Sequence, residues 1–294
     1  MCGIVGLFLK DRALEPNLGA LLSDMLVTMT DRGPDSAGIA VYGAPRPGRA
    51  RITVQSSAPD TDFPALAEAL ARFDAEVATK STHAVISLDT PRLAEVRAAA
   101  EAVGAIRVMS AGEAVEIFKE VGLPAQVVDR FGIRAMAGSH GVGHTRMATE
   151  SAVTTLGAHP FSTGPDQCLV HNGSLSNHNN LRREMLRDGV RFETENDSEV
   201  AAAYLTARMA AGRSLGEALD DALTGLDGFY TFVVGAKSGF GVLRDPIACK
   251  PAVLAETDQW VAFGSEYRAL AGLPGIETAR VWEPEPATVY FWER

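Results

Sequence analysis

Cysteine is scarce in this chain of 294 residues, where only Cys2, Cys168 and Cys249 occur, far apart and odd in number. They form no CxxC pair, no disulfide framework and no thiolate set for an iron–sulfur cluster. A reducing cytoplasm is therefore expected, with any iron–sulfur chemistry on another chain. Basic charge is also short: 27 Lys and Arg face 37 Asp and Glu, a net charge of -10. No basic stripe exists to displace counterions from phosphates, which excludes nucleic acid as a partner. Long apolar runs are missing too. Cys2–Leu9 is too short to span a bilayer and runs into Lys10, Asp11 and Arg12, so it reads as a buried strand and no membrane is expected. His144, His159 and His171 fit no zinc spacing, so no metal is expected.

What the chain does have is core material. It is 46% hydrophobic and 22% charged, the balance of a globular protein. After the first strand, Leu18, Leu21, Leu22, Met25, Leu26 and Met29 recur at helical spacing from about Glu15 to Thr30. Arg32-Gly33-Pro34-Asp35 breaks that helix. Strands are expected at Gly38–Tyr42 and Arg51–Gln55. From about 63 to 136 the composition changes. Short β-branched runs alternate there with Ala- and Glu-rich helical patterns at Leu93–Val103 and Ala114–Val121, which predicts a small α/β insert used for packing or docking. It carries no GxGxxG or P-loop. Beyond Gly141, helices are expected near His178–Asp188, Ser198–Ala211 and Ser214–Leu223. The short connections between the C-terminal strands favour antiparallel sheets.

Chemistry gathers in a few segments. If Met1 is removed, Cys2 carries a thiol and a free α-amino group whose pKa, roughly 7.7 to 8.0, suits a general base. One residue then holds both nucleophile and base. Taken alone, Cys2 reads first as a small hydrophobe opening a strand, and only the other segments reverse that. Asn172 and Gly173, after the apolar Cys168–Val170, stand at a strand end where an amide side chain and a backbone N–H can converge on an oxyanion; the pair is also a turn signal. Arg146 ends another strand and suits an amino-acid carboxylate. Asp197 suits an α-ammonium, while Asn196 or Asp197 can equally cap the following helix. A Cys–His dyad is the rival arrangement.

In their order, Met1-Cys2-Gly3-Ile4-Val5-Gly6, Arg32-Gly33-Pro34-Asp35-Ser36-Ala37-Gly38, Gly143-His144-Thr145-Arg146, Ala158-His159-Pro160, His171-Asn172-Gly173, Asn196-Asp197-Ser198-Glu199, Arg244-Asp245-Pro246 with Lys250-Pro251, and Ser265-Glu266 resemble the class II glutamine amidotransferases, a family of N-terminal nucleophile hydrolases. The resemblance implies an α+β fold, an αββα sandwich of two antiparallel sheets between helical layers. It also implies hydrolysis of the glutamine side-chain amide through a thioester on Cys2. By the same resemblance Asn172 and Gly173 form the oxyanion hole, Arg146 binds the substrate carboxylate, Asp197 its amino group, and Thr149 and Arg32 belong to the substrate site. Thr145-Arg146-Met147-Ala148-Thr149-Glu150-Ser151 departs from the sugar-phosphate branch. It looks more like the amidotransferase subunit of N-methylglutamate synthase and related glutamate-synthase-like enzymes. That implies synthase subunits carrying flavin and iron–sulfur cofactors, with no cofactor on this chain.

Overall fold

Both faces of the first strand are apolar. In β1 (Gly3–Leu9), Val5, Leu7 and Leu9 point one way and Ile4 and Phe8 the other, and all are buried. Such a strand needs a layer on each side. The computed structural model describes residues 2–148 and 152–294 and supplies both layers. After β1 come α1 (Leu18–Thr28), β2 (Ser36–Tyr42), β3 (Arg49–Gln55), α2 (Pro59–Leu70), β4 (Glu76–Lys80), β5 (His83–Asp89), α3 (Leu93–Glu101) and β6 (Arg107–Gly112). The chain continues with β7 (Val115–Val121), α4 (Pro124–Phe131), β8 (His140–Arg146), β9 (Gln167–Leu175), α5 (His178–Arg187), α6 (Asp197–Ala210) and α7 (Leu215–Gly225). It ends on β10 (Gly228–Ala236), β11 (Gly239–Arg244), β12 (Val253–Glu256), β13 (Trp260–Gly264), β14 (Arg280–Trp282) and β15 (Thr288–Glu293).

Among the described residues one sheet runs β14-β12-β13-β1-β8-β2-β7 and another β15-β11-β10-β9, all neighbours antiparallel. The sheets meet through Ile4, Phe8, Val142, Val170, Val233 and Phe240. Gly6 marks a close approach, since a Cβ there would lie 2.7 Å from the Phe240 ring. Outside the first sheet, α1 and α4 cover Val5, Leu7 and Leu9; outside the second, α6 and α7 cover Phe232 and Val234. The result is the expected αββα sandwich. No helix among the described residues is long and apolar enough to cross a membrane.

The insert is a third antiparallel sheet, β4-β5-β3-β6, backed by α2 and α3 around its own core of Ile52, Val54, Leu66, Leu70, Ile86 and Val96. Its β-α-β-β-α-β order is that of a split βαβ unit. It spans Arg49–Gly112 rather than 63–136, because β3 leaves the sandwich to pair with β5 and β6. Ala114–Val121, expected to be helical, is the strand β7 at the sandwich edge, paired with β2. Its residues are buried on both faces, so the apolar spacing that suggested a helix was the mark of a two-sided strand. Asp166 pins the turn from β6 to β7, its carboxylate accepting the N–H groups of Glu113, Ala114 and Val115.

Candidate active site

Cys2 immediately precedes β1, whose two neighbours β13 and β8 both reach back to hold it. The Ile4 N–H donates to Ser265 Oγ at 2.9 Å and the Ser265 N–H returns to the Ile4 carbonyl at 2.9 Å. The Gly3 N–H donates to Thr145 Oγ1 at 3.2 Å, and the Thr145 hydroxyl donates to the Met29 carbonyl. Gly3 fits because nothing larger would; a Cβ there would lie 2.8 Å from the Met29 Cβ. Two side chains then converge on the Cys2 carbonyl oxygen: Arg32 Nε at 3.0 Å and Asn172 Nδ2 at 3.2 Å.

Arg32 sits in the turn between α1 and β2, buried, with its second contact a 2.6 Å ion pair to Glu266. The hydrogen bond from Arg32, reinforced by Arg268 at 2.6 Å, holds the Glu266 carboxyl below its ordinary value. Arg32 is thus committed to the Cys2 backbone. Ser265 and Glu266 were matched in sequence without a role. They act here because β13 runs beside β1, a pairing no local signal announces.

Arg146 ends β8. Gly3 pairs with Thr145, so Arg146 stands one step further, at the register position of Cys2, buried, with Nη1 3.4 Å from the Ala152 carbonyl. The Cys2 thiol lies 3.9 Å from the Met147 carbonyl. Met147 and Ala152 therefore border Cys2 and Arg146, and the segment 152–160 runs on as a wall beside the guanidinium, since a Cβ at Gly157 would lie 3.3 Å from Arg146 Nη1. Thr149 lies outside the described residues.

Asn172 and Gly173 lie on β9, the edge strand of its sheet. The Leu169 and Leu175 N–H groups turn off that edge, to the Phe161 carbonyl and to Asp197 Oδ2 at 2.9 Å. Pairing with β10 runs from 167 to 175 without a register shift, so Gly173, in phase with both, directs its N–H the same way. Gly173 has φ +141°, and a Cβ there would meet the Phe229 carbonyl at 1.9 Å; only glycine is compatible. Asn196 caps α6, accepting from the Ser198 N–H at 2.9 Å. Asp197 is left at the helix start, 20% exposed and 3.8 Å from His171 Nδ1, where a carboxylate is favoured.

The three histidines lie together beneath this edge. His144 stacks on His159 with ring centres 4.0 Å apart. His159 Nε2 and His171 Nδ1 share Ser198 Oγ at 2.9 and 2.8 Å. Burial pushes all three below the usual histidine value, His144 to about 3, which favours neutral rings, and through Ser198 the pair His159 and His171 ties β9 to α6.

A profile of the glutamine amidotransferase domain matches residues 144–272. The chain is 70% identical over 296 residues to the glutamine amidotransferase-like protein GlxB of Rhizobium meliloti (strain 1021), covering 100% of this chain and 98% of that protein. It is 36% identical over 138 residues to the glutamine–fructose-6-phosphate aminotransferase of Zymomonas mobilis, 47% of this chain and 23% of that one. Among solved structures, the glutamine phosphoribosylpyrophosphate amidotransferase of B. subtilis superposes with a TM-score of 0.64 at 18% identity, over 99% of this chain and 47% of that chain. The chain thus spans about half the length of that neighbour, whose low identity speaks to the fold alone.

Proposed function

The chain belongs to the glutamine amidotransferases, and from that premise we propose that it hydrolyses the side-chain amide of glutamine with Cys2 as nucleophile. Removal of Met1 frees the α-amino group, which takes the thiol proton as sulfur bonds to the amide carbon. The carbonyl oxygen becomes an oxyanion facing the Asn172 side-chain amide and the Gly173 N–H. Collapse breaks the C–N bond, the α-ammonium returns its proton to the leaving nitrogen, and ammonia departs from a γ-glutamyl thioester. Water then adds to the thioester carbon, giving glutamate and the free thiol. Arg146 holds the substrate carboxylate and Asp197 its ammonium.

The observation that carries this reading is the convergence on Cys2. Asn172 lies 3.2 Å from its carbonyl, Arg146 stands opposite it in register, and Asp197 is tied to the end of β9. The ammonia passes to a synthase of the glutamate-synthase or N-methylglutamate-synthase type, whose flavin and iron–sulfur groups sit on its own subunits. Exposed apolar side chains around the site support such a contact: Met147, Phe229, Ile247 and Tyr267 all stand at or beside site segments. Free thiols at Cys2, Cys168 and Cys249 fit a reducing cytoplasm.

The test is glutaminase assay of protein confirmed to lack Met1, beside a diazoketone analogue of glutamine read by mass spectrometry. Labelling of the N-terminal peptide, with hydrolysis abolished in Cys2→Ala, is the expected result. Full activity in Cys2→Ala refutes the nucleophile.

A further inference from the structure

The wall beside Arg146 is gripped from behind by two adjacent residues of β7. Lys119 is buried, and its ammonium donates to three main-chain carbonyls of that wall, Leu156 at 3.1 Å, Ala158 at 2.8 Å and Pro160 at 3.2 Å. It also lies 4.6 Å from the centre of the Phe161 ring. An ammonium has three N–H donors, and here each meets an acceptor. Burial pulls Lys119 down to about 8 against the attraction of Glu199 and Glu193, so it still carries its charge near neutrality.

Glu120 takes hold of the same wall one residue earlier, accepting the Thr155 hydroxyl on Oε1 together with the Val121 N–H at 3.0 Å. Its other oxygen accepts the Thr82 hydroxyl at 2.8 Å and lies 3.7 Å from the Arg130 guanidinium. Thr82 is the turn between β4 and β5, so a single buried carboxylate ties the insert to the wall. Packing alone does not fix that wall. Lys119, Leu156 and Phe161 line a cavity of about 640 Å³ between α3 of the insert and α6, which leaves room to relax once the tethers are cut.

We propose that Lys119 and Glu120 are positioning residues for glutamine, clamping residues 152–160 so that Arg146 and Cys2 face one substrate, with the insert as the fixed end of the clamp. This rests on the function proposed above and gives the insert a part in it. Arg146 itself reaches into the clamped segment at the Ala152 carbonyl. A wall free to drift therefore loses substrate affinity more than it slows the chemistry.

The experiment uses the full chain with Lys119→Met, Glu120→Gln and Thr82→Val, each checked for folding by thermal unfolding. Amide exchange in 152–159 should quicken by about tenfold in Lys119→Met, with other segments unchanged. The KM for glutamine should rise about tenfold with kcat within about twofold. Thr82→Val, which leaves wall and strand untouched, should show a smaller rise of the same kind and carries the test if Lys119→Met does not fold. A folded variant with wild-type exchange in 152–159, or with unchanged KM, overturns the clamp. Wild-type protein that hydrolyses no glutamine counts against the proposed function alone, and the exchange result then decides the clamp.

Discussion

Acid should weaken this protein at a pH where its carboxylates are still charged. Five of its six histidines are buried and held below the ordinary value, with burial the largest cause: His83, His140 and His144 to about 3, and His159 and His171 in the same direction. His140 shows why. One ring nitrogen lies 3.0 Å from the Ala236 carbonyl and the other 2.8 Å from Ser139 Oγ, a set that suits a neutral ring donating once and accepting once. With folded values below unfolded ones, the unfolded chain binds more protons once pH falls below about 6.5, so stability drops from there down to about 3. At pH 5.5 each unfolded histidine gains about 1.4 kcal/mol, from RT ln(1 + 10). The three held at about 3 then cost about 4 kcal/mol together, and all five at most about 7 kcal/mol. Those losses rival the whole stability of an ordinary domain, about 5–15 kcal/mol. Urea unfolding at about pH 7.5, 6.5 and 5.5 reads this directly, above the range where carboxylates titrate. A midpoint that stays constant between 7.5 and 5.5 would refute the neutral buried histidines.

The remaining predictions concern the site. Asn172→Ala should lower kcat for glutamine by about a hundredfold or more with a smaller effect on KM, as loss of an oxyanion donor does; steady-state kinetics checks it, and an equal rise in KM with kcat intact would place Asn172 in binding instead. Gly173→Ala has to fit a Cβ 1.9 Å from the Phe229 carbonyl at φ +141°, and should cost at least about 2 kcal/mol in thermal unfolding. Glu266→Gln removes the charge that pairs with Arg32 at 2.6 Å, so kcat should fall about three- to tenfold while the fold stays intact by circular dichroism; unchanged kcat would show that Arg32 needs no partner to hold Cys2.

Elements that follow one periodicity were legible in the sequence. Leu18 through Met29 and Leu93 through Val103 mark helices, and the central strands announce themselves by apolar runs between turn residues. What failed were elements whose partners lie far along the chain. The strand expected at Arg51–Gln55 lies outside the expected insert, yet its partners are His83–Asp89 and Arg107–Gly112 of the insert. Ala114–Val121 reads as helical from its Ala- and Glu-rich pattern, yet Lys119 and Glu120 are buried at 5% and 7% exposure and spend their charges on a loop. Arg146, Asn172 and Gly173 stand out in the sequence as candidates by their chemistry, and Arg146 does end β8, but Asn172 and Gly173 lie inside β9 rather than at a strand end, because pairing with β10 carries that strand on to Leu175. Ser265, Glu266 and Thr145 could be matched but given no role, since their bonds to Ile4, Arg32 and Gly3 depend on which strands lie beside β1.

That dependence explains how Cys2, the proposed nucleophile, can be placed accurately ahead of the first strand, where terminal segments ordinarily fray. A terminal strand at a sheet edge would be held on one side only. β1 lies inside a seven-stranded sheet among the described residues, with Ser265 from β13 and Thr145 from β8 bonded to its first residues. Arg32 and Asn172 then fix the Cys2 carbonyl from a turn and from the other sheet. Drift of the thiol would require breaking bonds to four separate segments. Asn172 Nδ2 gives its two hydrogens to the Cys2 carbonyl and Ser265 Oγ, so to meet an oxyanion it must release one of them, whereas the Gly173 N–H already points off the sheet edge. Moving the same sequence to an edge strand would keep every residue and lose these bonds, so the topology of the sandwich itself holds Cys2 in place.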